Sequence, residues 1–233
     1  MKKIAGVNKI TNEVHIYDER SQKWKQTIPP MPTARHYLGV LSLQSALVVA
    51  GGLTPSASCR VEVFKPDTSQ WYRTDPLPTD CCQLSVVAIG NTCYVLGGYK
   101  ESSLPLNQAL FASVDDLLCN TVPVKQPIHS GSRDTQSTWK TLTNTPTYRP
   151  AVGVLAHSLL AIGGKEKVKG GTYKKEVYMY SPSTNSWIYS SDLPAPRSHT
   201  AIAALSSTQI LVIGGWDEGS VKTVYKGTLL LKL

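Results

Sequence analysis

The sequence predicts an all-β fold built from repeated four-stranded sheets, and two recurring markers support this prediction. An apolar run that ends in two adjacent glycines recurs four times, with the glycine pairs at Gly51–Gly52, Gly97–Gly98, Gly163–Gly164 and Gly214–Gly215. Tryptophan recurs at a similar spacing, at Trp24, Trp71, Trp139 and Trp187. A chain that repeats itself every few tens of residues is an array of similar structural units.

Each unit contains four segments of strand length. The first is an apolar run after a proline-rich link, and the second is the run that ends in the glycine pair. The third and fourth are joined in three units by a segment that ends in tryptophan: VHIYDERSQKW, VEVFKPDTSQW and VYMYSPSTNSW. Three of the links contain an arginine, Arg35, Arg149 or Arg197, which we expect to hold the link through backbone carbonyls.

The physical properties of these segments indicate how the units assemble. Runs of four to eight residues bounded by turn signals are too short for helices and favour strands. The first two strands of each unit are rich in small apolar residues, which is typical of strands buried on both faces. A glycine pair permits a bulge or a close backbone approach. Sheets that need cover on both faces stack radially in a β-propeller, and the tryptophan fills the gap between units.

The glycine pairs, the spaced tryptophans and the Pro–Arg links resemble the kelch repeat, over nearly the whole chain from Lys2 to Leu231. The resemblance implies a kelch β-propeller of about five blades, with approximate units 1–30, 31–78, 79–146, 147–194 and 195–233. The first unit has only a weak glycine strand, which ends at Gly6, and the last unit has no tryptophan on a fourth strand. Because kelch rings usually have six or seven blades, we expect a partial or open ring, and a fragment of a longer protein.

The third unit is longer than the others. The segment QALFASVDDLL is expected to form its third strand. Residues 119–136, which follow, are polar and are expected to form an inserted loop. The loop is either a contact surface or disordered, and its composition favours disorder.

Composition excludes several classes of function. The chain carries a formal charge of +8, but its lysines are scattered except between Lys165 and Lys175, where a solvated hairpin tip is the simplest interpretation. No basic stripe interleaved with aromatic residues indicates nucleic-acid binding, and no apolar run is long enough to predict a membrane span. The five cysteines lack metal-binding spacing, and no secretory signal is evident, so we expect a reducing, cytoplasmic setting.

The sequence offers little that indicates catalysis. It lacks the common nucleophile, phosphate-loop and zinc-protease motifs, and its five histidines fall in different units. Asp115 and Asp116 are expected to lie in a solvated turn. Cys81 and Cys82 stand where other units have the link arginine, either through loop drift or as a reactive thiol. We therefore predict no cofactor, no metal and no enzymatic activity.

The kelch resemblance implies where a partner would bind. In kelch receptors, contacts come from the position two after the link arginine and from the loop after the glycine pair. The first set is Tyr37, Cys82, Ala151 and His199, of which Cys82 and Ala151 would make poor contacts. The second set is Thr54, Tyr99, Lys165, Trp216 and Asp217. Tyr99 and Trp216 are the strongest candidates as exposed aromatic anchors, unless they pack on their own loops.

The predicted function is a protein-interaction module that binds a partner protein or peptide through loops at the propeller funnel. The resemblance implies two known settings: substrate recognition in adaptors that carry a BTB domain for cullin ubiquitin ligases, and actin binding. An alternative is a kelch-fold enzyme with its site in the funnel. Galactose oxidase, with its copper, and sugar epimerases are examples, but their site residues cannot be located in this sequence.

Overall fold

Short antiparallel strands make up almost all of the regular structure. The computed structural model describes residues 10–43, 45–54, 58–100, 106–124, 137–167 and 171–228. These residues form five sheets, numbered here in chain order, and one short helix. No helix in these ranges is long and apolar enough to cross a bilayer. The predicted weak glycine strand that ends at Gly6 lies outside the described residues.

The sheets follow one another along the chain. Sheet 1 contains β1 (Ile16–Asp18) and β2 (Lys23–Lys25), and sheet 2 contains β3 (Gly39–Ser42), β4 (Leu47–Ala50), β5 (Val61–Lys65) and β6 (Gln70–Thr74). Sheet 3 contains β7 (Ser85–Ile89), β8 (Thr92–Leu96), β9 (Ala109–Ser113) and β11 (Lys140–Leu142). Sheet 4 contains β12 (Ala151–Leu155), β13 (Ser158–Lys165), β14 (Tyr173–Ser181) and β15 (Ser186–Asp192). Sheet 5 contains β16 (Ala201–Ala204), β17 (Gln209–Ile213) and β18 (Val224–Thr228).

The sheets pack face to face around their first strands. Strands β3, β7, β12 and β16 are successive neighbours, so they form the inner wall of the array. Glycine permits this approach: a Cβ on Gly39 would lie 2.3 Å from Leu84 Cδ1, and one on Gly153 would lie 2.7 Å from Ile202 Cγ2. The radial arrangement predicted from the repeats is therefore confirmed.

The middle sheets bury both of their faces, as the sequence predicts. In β5, Val61 and Val63 pack against sheet 3, whereas Phe64 packs with Trp71 toward sheet 1. Successive residues on a strand point to opposite faces, so one strand contributes to two hydrophobic clusters.

The two ends of the array are open. Trp24 in sheet 1 is 69% exposed, whereas Trp71 at the same place in sheet 2 is 6% exposed. On the far face of sheet 5, Val224 is 53% exposed, whereas the corresponding Val61 is 1% exposed. The described residues thus form an arc of sheets whose outer faces are uncovered, in agreement with the expected open ring.

The third unit departs from the predicted strand. The segment expected to form one long strand divides into β9 and a helix, α1 (Val114–Cys119), so the prediction was wrong beyond Ser113. The Ser113 side chain accepts a hydrogen bond from the backbone N–H of Asp116, and Asp115 and Asp116 occupy the first turn. A serine cap and acidic residues favour a helix N-terminus.

The segment after α1 is also partly ordered. Strand β10 (Val122–Pro123) pairs with β6 and adds a fifth strand to sheet 2. The start of the predicted inserted loop is therefore a helix end and a short strand. The rest of that loop, 125–136, lies outside the described residues.

Candidate functional site

In sheets 2 to 5, the second strand ends at a glycine pair whose backbone conformation other residues rarely adopt. The second glycine of each pair has φ between 104° and 116°. A Cβ on Gly164 would lie 2.6 Å from the carbonyl oxygen of Tyr148. A glycine is required here for both reasons, and the close approach brings the loop after the pair against the preceding link.

Buried side chains hold these links, as predicted for Arg35 and Arg197. An Arg35 guanidinium nitrogen donates to the carbonyls of Gly51 at 2.9 Å and Arg60 at 3.0 Å. Its other terminal nitrogen pairs with Glu62 at 2.7 Å. Arg197 donates to the carbonyl of Gly214 at 3.1 Å and lies over the ring of Tyr225.

Arg149 does not hold a link, contrary to the prediction. In sheet 4 this role belongs to Thr147, whose hydroxyl donates to the carbonyl of Gly163 at 2.6 Å. The sequence separation identifies Thr147, because 16 residues separate it from Gly163 and 16 separate Arg35 from Gly51. Arg149 therefore lies two positions after the link residue, in the set predicted to contact a partner.

Cys81 takes the link position of sheet 3. Its side chain is fully buried, and burial raises the pKa of its thiol to about 12, with smaller contributions from Cys82 and Asp80. The thiol therefore stays protonated near neutral pH, which disfavours the reactive-thiol alternative. Cys82, which was considered as a contact position, is 7% exposed.

The residues two positions after the link share an unusual backbone conformation. They are Tyr37, Gln83, Arg149 and His199, with φ between 54° and 56°. A non-glycine residue with positive φ is uncommon, and such residues cluster at functional sites. Ala151, which was considered as the sheet 4 member of this set, is buried at the start of β12 and is replaced by Arg149.

The residues directly after the glycine pairs lie next to these positive-φ residues, because they pair with the backbone of the preceding residue in each link. Each forms an isolated antiparallel bridge with the residue after the link: Leu53 with His36, Tyr99 with Cys82, Lys165 with Tyr148, and Trp216 with Ser198. The four positive-φ residues and these four partners, Leu53, Tyr99, Lys165 and Trp216, are called here the end face. Thr54 and Asp217 lie one residue farther along, on its rim.

Three of these end-face residues form a contact cluster. The Arg149 guanidinium lies 4.0 Å from the ring centroid of Tyr99, and one of its nitrogens is 2.8 Å from His199 Nε2. His199 Nδ1 lies 2.7 Å from the Ser198 hydroxyl. Because the guanidinium can only donate, Nε2 accepts, and the neutral ring carries its proton on Nδ1.

Burial lowers the pKa of His199, and the positive charges of Arg149 and Lys165 lower it further. His199 is therefore a neutral hydrogen-bonding group at neutral pH. The fixed charges of the end face come from Arg149 and Lys165. Lys165 also lies over the ring of Tyr173, 4.5 Å from its centroid.

Two large aromatic side chains remain open to solvent beside this cluster. Tyr37 is 56% exposed and Trp216 is 45% exposed. Tyr99, in contrast, is stacked under Arg149 and offers less free surface. Within the described ranges, no three His, Cys, Asp or Glu side chains come close enough together to hold a metal ion.

Comparison with known proteins identifies the repeated unit. The family model for the kelch motif matches residues 34–78 and 146–194, which contain sheets 2 and 4. Sheets 2 and 4 are kelch repeats.

Curated kelch proteins and a solved structure extend this similarity. The chain is 27% identical over 198 residues to the zebrafish (Danio rerio) Kelch repeat and BTB domain-containing protein 12, covering 79% of this chain and 30% of that protein. It is 30% identical over 110 residues to mouse (Mus musculus) Kelch-like protein 40, covering 47% of this chain and 18% of that protein. The chain thus spans less than a third of these relatives.

The structure of YjhT shares the fold with a TM-score of 0.74 at 14% identity, covering 95% of this chain and 74% of that chain. At this low identity the similarity shows the fold alone.

Three end-face residues were not predicted from the sequence, and the spacing between the link residue and the glycine pair explains two of them. Gln83 and Arg149 were not predicted at these positions, because the prediction named Cys82 and Ala151 there, with Cys81–Cys82 and Arg149 as link residues. Counting 16 residues back from Gly97 and from Gly163 would have placed both correctly, since 16 residues also separate Arg35 from Gly51, although in sheet 5 the separation between Arg197 and Gly214 is 17. Leu53 was not predicted, because the prediction named Thr54 in the loop after the Gly51–Gly52 pair.

Proposed function

We propose that this chain is a protein-interaction module that binds a partner protein or peptide through the end face. The observation that carries the proposal is the placement of exposed Tyr37 and Trp216 beside the fixed charges of Arg149 and Lys165. Aromatic and arginine side chains dominate the binding energy of many protein interfaces. Loops held by a rigid sheet scaffold are a common location for such contacts.

The charges of the end face favour a partner segment with acidic side chains. Its eight residues include Arg149 and Lys165 and no carboxylate. Glu166 and Asp217 lie outside it, one residue beyond the glycine-pair bridges. A carboxylate of the partner beside Arg149 would gain charge-assisted hydrogen bonds, whereas a cation would be repelled.

The affinity experiment compares variants of the end face with variants of exposed residues elsewhere. Arg149→Glu and Trp216→Ala alter the end face. Arg20→Glu makes the same change of charge, and Tyr189→Ala removes a comparable aromatic side chain, at exposed residues elsewhere. Tagged chains are used to capture partners from cells, and captured proteins are quantified by mass spectrometry against the unaltered chain.

We expect at least one partner to be lost with both end-face variants and kept with both controls. Its affinity, measured with purified proteins, should fall about tenfold or more, as for hot-spot residues. Melting temperatures of all four variants should remain near that of the unaltered chain. Partners that bind all four variants equally would contradict binding through the end face.

We also propose that the partner is a substrate of a cullin ubiquitin ligase. The support is the matched relative whose name combines kelch repeats with a BTB domain. In that case the captured partner should carry less ubiquitin in cells that express the Arg149→Glu variant. An unchanged level of ubiquitin on a partner that has lost binding would contradict this role and leave the interaction itself intact.

A further inference from the structure

Arg149 and His199 meet on the end face, although they come from different links. Arg149 lies in the link before sheet 4 and His199 in the link before sheet 5. One guanidinium nitrogen of Arg149 is 2.8 Å from His199 Nε2, and His199 Nδ1 is 2.7 Å from the Ser198 hydroxyl. Because a guanidinium nitrogen can only donate, this contact requires Nε2 to be unprotonated.

The contact with Arg149 and the protonation of Nε2 therefore exclude each other. An imidazolium donates from both of its nitrogens, so protonated His199 cannot accept from Arg149. The two side chains would then be cations at hydrogen-bond distance with no acceptor between them. An anion placed between them removes this conflict, because both side chains can donate to its oxygens in charge-assisted hydrogen bonds.

The charges that act on His199 in the free chain are positive. Lys165, directly after the glycine pair of sheet 4, acts on His199 in the same direction as Arg149. Tyr99, after the second strand of sheet 3, lies under the Arg149 guanidinium, and Trp216 pairs with the backbone of Ser198.

The neighbouring acidic residues do not offset these charges. Among the described residues, no carboxylate contributes to the shift in the pKa of His199. The acidic residues closest along the chain to Lys165 and Trp216 are Glu166, Asp217 and Glu218, and the Glu166 carboxylate accepts from the Thr172 hydroxyl at 3.0 Å. An anion that reaches Arg149 and His199 must therefore come from outside the cluster.

We propose that a carboxylate of an acidic partner binds between Arg149 and His199, and that His199 takes up a proton from solvent when it binds. The proton is added to Nε2, and both side chains then donate to the carboxylate. No covalent bond is formed or broken. The proposal rests on the proposed function, because it specifies how the end face holds an acidic partner.

Proton uptake makes the affinity depend on pH. In the free chain, burial lowers the pKa of His199 first, and the charges of Arg149 and Lys165 lower it further. A bound carboxylate is an opposite charge at contact distance, so it favours the protonated ring and raises this pKa. A group whose pKa is higher in the complex than in the free chain strengthens binding as the pH falls through the two values. Affinity is therefore greatest below both values and least above both.

A tetraglutamate peptide with blocked ends is a suitable probe, because its carboxylates stay ionised above about pH 5. The His199 imidazole is titrated by NMR at constant ionic strength, from about pH 5 to about pH 8, with and without saturating peptide. We expect tetraglutamate to raise the pKa of His199 by about one unit or more, and tetraglutamine to leave it unchanged. Tetraglutamate should consequently bind severalfold more tightly at the acidic end of this range.

A matched pair of histidine variants locates the proton. His199→Gln keeps a polar side chain that does not titrate, so its affinity for tetraglutamate should be the same at both ends of the range. His157→Gln is the control, because His157 is exposed and has nearly the same backbone conformation, with φ of 59° against 56° for His199. It lies in the turn between β12 and β13, away from the end face, and should keep the pH dependence of the unaltered chain.

A second pair of variants locates the carboxylate. In Arg149→Gln, the rise in the pKa of His199 on addition of tetraglutamate should become much smaller, because the peptide loses the side chain that holds it beside the ring. Arg20→Gln removes an exposed arginine elsewhere and should leave the rise unchanged.

Two results would overturn the proposal: a pKa of His199 that tetraglutamate does not change, and an equal pH dependence of affinity in the His199→Gln and His157→Gln variants. The first measurement uses the unaltered chain, so a folding defect cannot produce it. The proposed function fails separately. A captured partner that is lost with Arg149→Glu but binds equally at all pH values would support the interaction and contradict only the proton uptake.

Discussion

Arg35 and Glu62 form an ion pair in which both side chains are fully buried. Arg35 also bonds to two backbone carbonyls, and Thr33 donates to the second carboxylate oxygen of Glu62 at 2.7 Å. This network joins the link before sheet 2 to the third strand of that sheet. Removing one partner of a buried ion pair is strongly destabilising, because the remaining charge is left unpaired in the protein interior.

Removing Arg35 should therefore destabilise the protein strongly. We expect Arg35→Ala to lower the free energy of unfolding by about 3–5 kcal/mol, because it leaves the Glu62 carboxylate buried without its partner. Urea unfolding followed by circular dichroism measures this loss. The control is Arg60→Ala, at an exposed arginine that donates to Thr33 in the same network. A similar loss for Arg60→Ala would contradict the assigned role of Arg35.

His199 should titrate below its ordinary pKa of 6.5, first because it is partly buried and then because Arg149 and Lys165 are near. In the Arg149→Gln variant its pKa should rise but stay lowered, since burial remains. An NMR pH titration of the imidazole measures both values, with Arg20→Gln as the control. An unchanged pKa in Arg149→Gln would contradict the contact.

The same shift affects stability. A histidine whose pKa is lowered by folding contributes stability that is fully present above the unfolded pKa, near 6.5, and is lost as the pH falls through the folded value. The His199→Gln variant should therefore lose less stability than the unaltered chain on acidification below that pH. Melting temperatures across this range measure the difference, and parallel pH profiles would contradict it.

Helix α1 shows how an irregular element is joined to a regular sheet. Leu117 is 1% exposed and packs in the cluster between sheets 2 and 3. The carbonyls of Leu117 and Leu118 accept hydrogen bonds from Thr74 and Lys65 of sheet 2. The carbonyl groups at the end of the helix thus find hydrogen-bond donors in another unit, and these bonds hold the insertion against sheet 2.

Leu117→Ala should cost about 2–5 kcal/mol of unfolding free energy, as for other buried leucines. Leu118→Ala, at the partly exposed neighbour in the same helix, should cost clearly less. The difference between the two midpoints in urea measures the burial of one side chain with helix propensity held constant. Equal midpoints would indicate that α1 does not pack on sheet 2.

The strands that recur in every unit could be predicted from the sequence. The elements that depend on a single capping or hydrogen-bonding side chain could not. The glycine pairs and tryptophans place the sheet strands because each has a packing role that recurs. Helix α1 was missed because Ser113 caps only a short helix directly after a strand. Arg149 was predicted as a link residue because the other links contain arginine, but in sheet 4 the hydroxyl of Thr147 makes the hydrogen bond to Gly163. The spacing to the glycine pair would have identified Thr147.

At the scale of the whole molecule, stability should depend on the junctions between neighbouring sheets. In repeat proteins, stability is approximately the sum of the intrinsic stability of each unit and the interactions between neighbouring units. Sheets 2, 3 and 4 have a neighbour on both sides, while sheets 1 and 5 each leave one face exposed. Repetition in the sequence predicted this arc.

A matched pair of tryptophans tests this arrangement. Trp71 and Trp24 have the same position in successive units, and each packs against an aromatic side chain on its neighbouring strand at 5.4 Å. Trp71 is buried in a junction, so Trp71→Ala should cost about 3–5 kcal/mol. Trp24 lies at the open end, so Trp24→Ala should change stability by less than about 0.5 kcal/mol. Urea unfolding of the two variants measures this contrast, and equal losses would show that another surface covers the first sheet in solution.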